Sequence, residues 1–285
     1  MRQKRLGAQI VCLCALLFAG CIPHQRPIQP VQGRISGVPE EFYREAITRG
    51  EPVFAIEPSD AAGVHVRVYR DGPLASVGHD HVISSQEVHG YAFVPQDRSG
   101  GLTDIYLPLD ALLVDDPRSP GEASSTGISQ GAREATRRHM LDDVLESAKF
   151  PFVIIHGICA TDTPSCGVLD ARITLHGMTR IIKVPVDLQS KNQGLMVSGH
   201  FSFLHSDFEM TPYSVLGGAL RVKDKIDVDF TLEAHPAANG RSFSQSIPNL
   251  PIGMPSSNNR LPLQSAMPSA VLGNFCRANS IKAPR

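Results

Sequence analysis

The sequence predicts an all-β antiparallel domain, a sandwich or a barrel, broken by one helical insert. Three observations lead there. The first is period-two alternation. In Ile226-Asp227-Val228-Asp229-Phe230-Thr231-Leu232-Glu233 the apolar residues fall on one side and the acids and threonine on the other, as a strand with one buried face requires. The second is how often such segments recur. Val64, Val66 and Val68 alternate with His65, Arg67 and Tyr69, and Leu195, Val197, Gly199, Phe201 and Phe203 alternate with Met196, Ser198, His200, Ser202 and Leu204. Further strands are expected at 87–94, 102–110, 152–159, 168–175 and 181–188, the last with Ile182, Val184, Val186 and Leu188 in register. Many short strands at this density point to a sandwich or barrel. The third is a single break in the rhythm. Ile128 to Leu145 is made of good helix formers, and Ala132, Ala135, Met140, Leu141, Val144 and Leu145 can share a face. One or two short helices are expected there, placed to cover a mouth or a side.

The flanks of the domain read differently. Arg2, Lys4 and Arg5 precede an apolar run from Ile10 to Phe18, and Ala19-Gly20 leads into Cys21. That is the layout of an export signal, too short for an ordinary membrane span. Small residues before a cysteine resemble a bacterial lipobox, with Cys21 as the acylated first residue of a periplasmic, membrane-anchored lipoprotein; a plain secretory signal is the alternative. Residues 1–21 are thus expected as signal, 22–50, with Pro23, Pro27 and Pro30, as a tether, 51–235 as the domain, and 236–285, rich in Pro, Ser and Asn, as a disordered tail.

Export bears on the cysteines, because thiols outside the cytoplasm persist as disulfides. Cys159 and Cys166 bracket Ala-Thr-Asp-Thr-Pro-Ser between two strand-like runs, so a bridge closing that hairpin is expected, against the alternative of two small buried thiols. Once Arg2, Lys4 and Arg5 leave, 24 basic residues face 28 acidic ones, which gives no basic face and argues against nucleic acid as a partner. A hydrophobic content of 42% is enough for one core.

Four blocks, in order, resemble the YceI-like family. They are Arg138-His139-Met140-Leu141 with Val144-Leu145 and Lys149-Phe150-Pro151-Phe152-Val153-Ile154; the strand and turn from Leu169 to Arg180, with His176-Gly177-Met178-Thr179-Arg180; Ser206-Asp207-Phe208; and Val222 to Ala234. Gly78-His79-Asp80-His81 is similar to one subgroup. The resemblance implies a lipocalin-like antiparallel barrel of about eight strands that binds polyisoprenoid or quinone-like lipid, and a homodimer, as family members often are. Where the family places a glycine after Asp-Phe, this chain has Glu209, so a different turn is expected there, since only glycine enters positive φ freely.

A barrel of that size either encloses one ligand or is filled by its own side chains. The residues expected to face inward and touch lipid are Val66, Val68, Phe93, Phe152, Ile154, Leu175, Phe201, Phe203 and Phe230. His79 and His81 carry the competing reading. Two residues apart on an extended segment, they point to one side and form half of a metal site, for which His65, His89, His200, His205 or Asp207 could supply the rest. The alternative is a turn whose polar side chains cap backbone groups. His139 with Asp142 or Asp143, and Ser206 with His205 and Asp207, contain the residue types of hydrolases, yet sequence neighbours do not line up as nucleophile, base and orienter. No catalytic role is expected.

Overall fold

The computed structural model describes residues 37–95, 100–118, 127–159, 166–191 and 194–237. Twelve strands are arranged in one antiparallel sheet: β1 Val53–Ile56, β2 Gly63–Asp71, β3 His81–Ser85, β4 His89–Phe93, β5 Leu102–Pro108, β6 Leu113–Val114, β7 Phe152–Cys159, β8 Val168–Leu175, β9 Met178–Lys191, β10 Gly194–Leu204, β11 Ser214–Val215 and β12 Leu220–Pro236. The α-helices among these residues are α1, Glu40–Thr48, and α2, Gln130–His139.

The sheet closes on itself through β12. One edge of β12 pairs with β10 from Lys225 to Ala234, and its other edge pairs first with β2 and then, at Ala234 to Pro236, with β1. β3 and β4 pair with β2 and β1, and β6 and β5 pair with β3 and β4. β1–β2, β3–β4 and β5–β6 are therefore three long staves, each interrupted once. With β7, β8, β9, β10 and β12 they make a closed antiparallel barrel of eight staves, in which neighbours in sequence are neighbours in space. Closure removes the exposed edges that an open sheet would present.

Local chemistry fixes the turns. β8 and β9 meet at Leu175 and Met178, leaving His176-Gly177 as the two-residue turn, with φ of 52° and 75°. Positive φ at both central residues suits the twist of a hairpin. A Cβ on Gly177 would lie 2.6 Å from the Phe150 ring, so the glycine answers to packing as well as to backbone. At the far end of β7, Cys159 and Cys166 form the expected disulfide.

The helical insert falls where the sequence placed it. Ser129 caps α2 by accepting the Ala132 N–H at 3.2 Å, and Arg137, Arg138 and His139 complement the negative end of the helix dipole. α2 continues into a π-helical turn, Met140–Val144, which buries Leu141 and Val144. Arg137 fastens the insert to the barrel, its Nε donating to the Leu112 carbonyl at 2.6 Å and its Nη2 to that of Asp110.

Two expectations are corrected. The segment 22–50 is not a tether throughout, because Glu40–Thr48 is the helix α1, with Tyr43 and Ala46 fully buried. Tyr43, Ala46 and Ile47 form a short apolar stripe at helical spacing, which the prolines upstream obscured. α1 lies on the outside of the barrel, where Tyr43 stacks on Tyr91 at 5.3 Å and Phe42 meets Phe93 edge-on at 6.0 Å. The turn at Glu209 is the second correction. Glu209 has φ 56° and ψ 24°, so the left-handed turn forms with a glutamate in it. The signal segment, Cys21 and the tail beyond Ala237 lie outside the described residues.

Candidate functional site

The inside of the barrel is a cavity of about 590 Å³, within the range of sites that hold small organic ligands. Its existence follows from which residues face inward. Val64, Val66 and Val68 of β2 lie opposite Phe230, Val228 and Ile226 of β12, and Val228 and Ile226 lie opposite Phe201 and Phe203 of β10. Directly paired residues point to the same face of a sheet. Across the barrel, β8 and β9 contribute Leu169, Ala171, Ile173, Leu175, Val184, Val186 and Leu188. Many of these side chains are valines and alanines, too short to reach the axis, so the interior is lined and not filled.

Most of the expected lining residues are found there: Val66, Val68, Leu175, Phe201, Phe203 and Phe230 all border the cavity. Phe152 and Ile154 do not. In β7 the inward residues are Val153 and Ile155, which pair with Leu107 and Ile173, while Phe152 packs on the outside against Tyr106. The run Phe152-Val153-Ile154-Ile155 is apolar on both faces, so alternation could not set its phase. Phe93 touches the cavity, but its register is that of the outer face, where its ring rests against Phe42. Val153, Ile155 and Ala171 are lining residues that sequence reading missed; their cross-strand partners are what reveals them.

The two ends of the cavity differ. At the end bordered by the disulfide the lining is mainly apolar, with Leu102, Leu169, Leu188 and Leu195. At the other end, where the β2–β3 and β10–β12 connections meet the insert, Arg70, His79, His81, His139, His205, Tyr213 and Arg221 border it. His139 stacks on Tyr213 at 4.8 Å and binds Asp143 through Nδ1 at 2.7 Å. His205 is buried, donating from Nδ1 to the Asp224 carbonyl at 2.8 Å, and burial pushes its pKa below the ordinary histidine value. Arg221 is neutralised by Asp71 at 2.9 Å.

His79 and His81 both face this end. The Nδ1 of His81 is engaged by Asp115 at 2.7 Å, and Asp80 accepts the Arg70 N–H at 2.9 Å. His200 and His89 lie away from the cavity, the first bonded to Asp229 and the second stacked on Tyr106. Among the described residues no three His, Cys, Asp or Glu side chains gather as a metal site needs. Of the hydrolase-like residues, His139 and Asp143 pair as described, whereas the second set is dispersed: Ser206 Oγ donates to Asp224 Oδ2 at 2.6 Å, while His205 is turned to the Asp224 backbone and Asp207 caps the Leu204 N–H. The outer face of the same strands carries the acids of the alternating pattern. Asp227 receives bonds from Lys225, Ser202 and Tyr69, which hold its carboxyl well below the usual range.

The barrel thus combines an apolar bore, a polar end and a helical insert that borders the cavity at that end. Residues 121–234 match the YceI-like domain. The YceI-like match takes in α2 and β7 through most of β12; β1 to β6 precede it and complete the same sheet. No curated protein matches the chain. Solved structures similar to it include a polyisoprenoid-binding domain from Saccharophagus degradans, 12% identical, covering 66% of this chain and 99% of that one with a TM-score of 0.44. They also include BcnA of Burkholderia cenocepacia, 11% identical over 61% of this chain and 96% of that one with a TM-score of 0.44, and the Campylobacter jejuni YceI protein, 12% identical over 54% and 84% with a TM-score of 0.41.

Proposed function

We propose that this protein is a non-catalytic carrier that holds one amphiphilic isoprenoid or similar long-chain lipid inside the barrel. The observation that carries the reading is the cavity itself: an apolar bore with its charged and imidazole side chains gathered at one end matches a molecule with an apolar chain and a single polar head. Each methylene moved from water to such a lining gains about 0.8 kcal/mol, so a chain of ordinary prenyl length needs no further specific contact to be retained. The YceI-like match over α2 and the second half of the barrel supports the same reading.

The lipobox-like end of the leader, Ala19-Gly20-Cys21, supports a carrier that works at the cell envelope. An acylated Cys21 would hold the barrel beside the membrane from which its ligand comes. Titration of the delipidated protein with a long-chain prenol tests the function. One ligand bound per chain, with loss of binding in Phe203→Asp, supports the carrier; an absence of saturable binding refutes it.

A further inference from the structure

We infer that His81 and Asp115 form a hydrogen-bond acceptor for the ligand's head, so that the barrel selects amphiphiles ending in a hydroxyl over those with no O–H to donate. This rests on the carrier reading above and adds a polarity to it. His81 lies opposite Val68 across β2 and β3, so it points into the barrel with Val64, Val66 and Val68 and borders the cavity at its polar end. Its Nδ1 lies 2.7 Å from Oδ2 of Asp115, whose side chain is 1% exposed. The other carboxylate oxygen, Oδ1, accepts the Val82 N–H at 2.9 Å, and the Asp115 N–H returns a bond to the Val82 carbonyl at 2.7 Å. Asp115 is thereby held from both sides.

The chemistry of the pair dictates what Nε2 offers. A carboxylate accepts and does not donate, so the hydrogen of the pair is on Nδ1 of His81. In the neutral ring Nε2 then carries a lone pair. Among the described residues nothing bonds to it. An acceptor is thus held at the polar end of an apolar cavity, oriented by a buried acid, and the partner it lacks is an O–H. Asp115 also has φ 49°, a left-handed conformation that a non-glycine residue adopts at some cost. Strain of this kind is retained where a side chain must be placed with care. A mere staple between β3 and the residue after β6 would need neither the inward face nor the free nitrogen.

The test compares geranylgeraniol with its methyl ether on the full chain, since the two share a tail and differ in the O–H. Wild type is expected to bind the alcohol roughly tenfold more tightly, the equivalent of one hydrogen bond. Asp115→Asn provides a readout that a structural role would not move. Its Oδ1 can keep the Val82 N–H, so its amide NH2 turns toward Nδ1 of His81 and drives the ring hydrogen to Nε2, which becomes a donor. The alcohol preference should then vanish or reverse, and nitrogen-15 NMR should show the His81 tautomer exchanged. His81→Leu should also abolish the preference. Equal binding of alcohol and ether by wild type, or a preference that survives in Asp115→Asn, overturns the assignment and leaves the carrier reading standing. Binding of neither compound overturns both.

Discussion

The hydroxyl of Tyr43 donates to Oδ2 of Asp104 across 2.7 Å, joining α1 to the outside of the barrel at a carboxylate that is fully buried. The other oxygen of Asp104 meets Nδ1 of His156 at 2.7 Å. Burial and the neighbouring Asp104 push the tyrosine far above its ordinary pKa, so the phenol stays a donor at every physiological pH. Tyr43→Phe removes one partner from a carboxylate that water cannot reach. The expected cost is about 1–3 kcal/mol, read by denaturant unfolding, with the barrel cavity untouched because Asp104 faces the other side of β5.

The phase of β7 makes a paired prediction. Phe203 lies inside and Phe152 outside, so the two aromatic positions should respond differently to the same change. Phe203→Asp should reduce retention of a bound prenol at least tenfold. Phe152→Asp should leave retention close to wild type while lowering stability by about 1–3 kcal/mol, as expected for charge placed in a packed apolar site. Quantifying bound lipid alongside the melting temperature separates the two effects.

How much of this was legible in the sequence depends on whether a segment had a polar face. β12 was readable residue by residue because Asp227 and Asp229 alternate with Ile226 and Val228. β7 offered only its limits, since Tyr106 and the segment before α1 cover its outer side and allow apolar residues on both faces. α1 was hidden for another reason: its nine residues draw stability from Tyr91, Phe93 and Asp104 far along the chain, not from their own propensity. β1 and β6 are too short for alternation to register, and β3, His-Val-Ile-Ser-Ser, has no apolar–polar alternation to read. The apolar lining could be anticipated from the alternating strands, whereas the His81–Asp115 pair joins residues 34 apart and needed the fold.

Glu209 supplies a stability test. Its left-handed backbone, φ 56°, is the conformation for which glycine has no steric penalty. Glu209→Gly should stabilise the barrel by up to about 1 kcal/mol, the strain relieved being partly offset by the freedom that glycine gains in the unfolded chain. A raised melting temperature checks it; a lowered one would mean that the Glu209 side chain contributes more than its backbone costs.

The buried histidines set a pH response. Burial depresses the pKa of His205 and of His89 below the ordinary value of about 6.5, so in the window beneath it the unfolded chain binds protons that the folded chain refuses. Their contribution is whole above that value and is lost as pH falls toward the folded pKa. Unfolding free energy should therefore decline from pH 7 to pH 5, and His205→Asn, which can still donate to the Asp224 carbonyl, should show a shallower decline.

The central claim is that the bore holds a single long-chain amphiphile. Mass spectrometry of an organic extract from the purified native protein tests it most directly. The expected result is one dominant lipid with a prenyl or comparable chain, near one molecule per chain, lost from Phe203→Asp and kept in Phe152→Asp. An extract without such a lipid, from protein that also fails to take one up when it is supplied, would contradict the account.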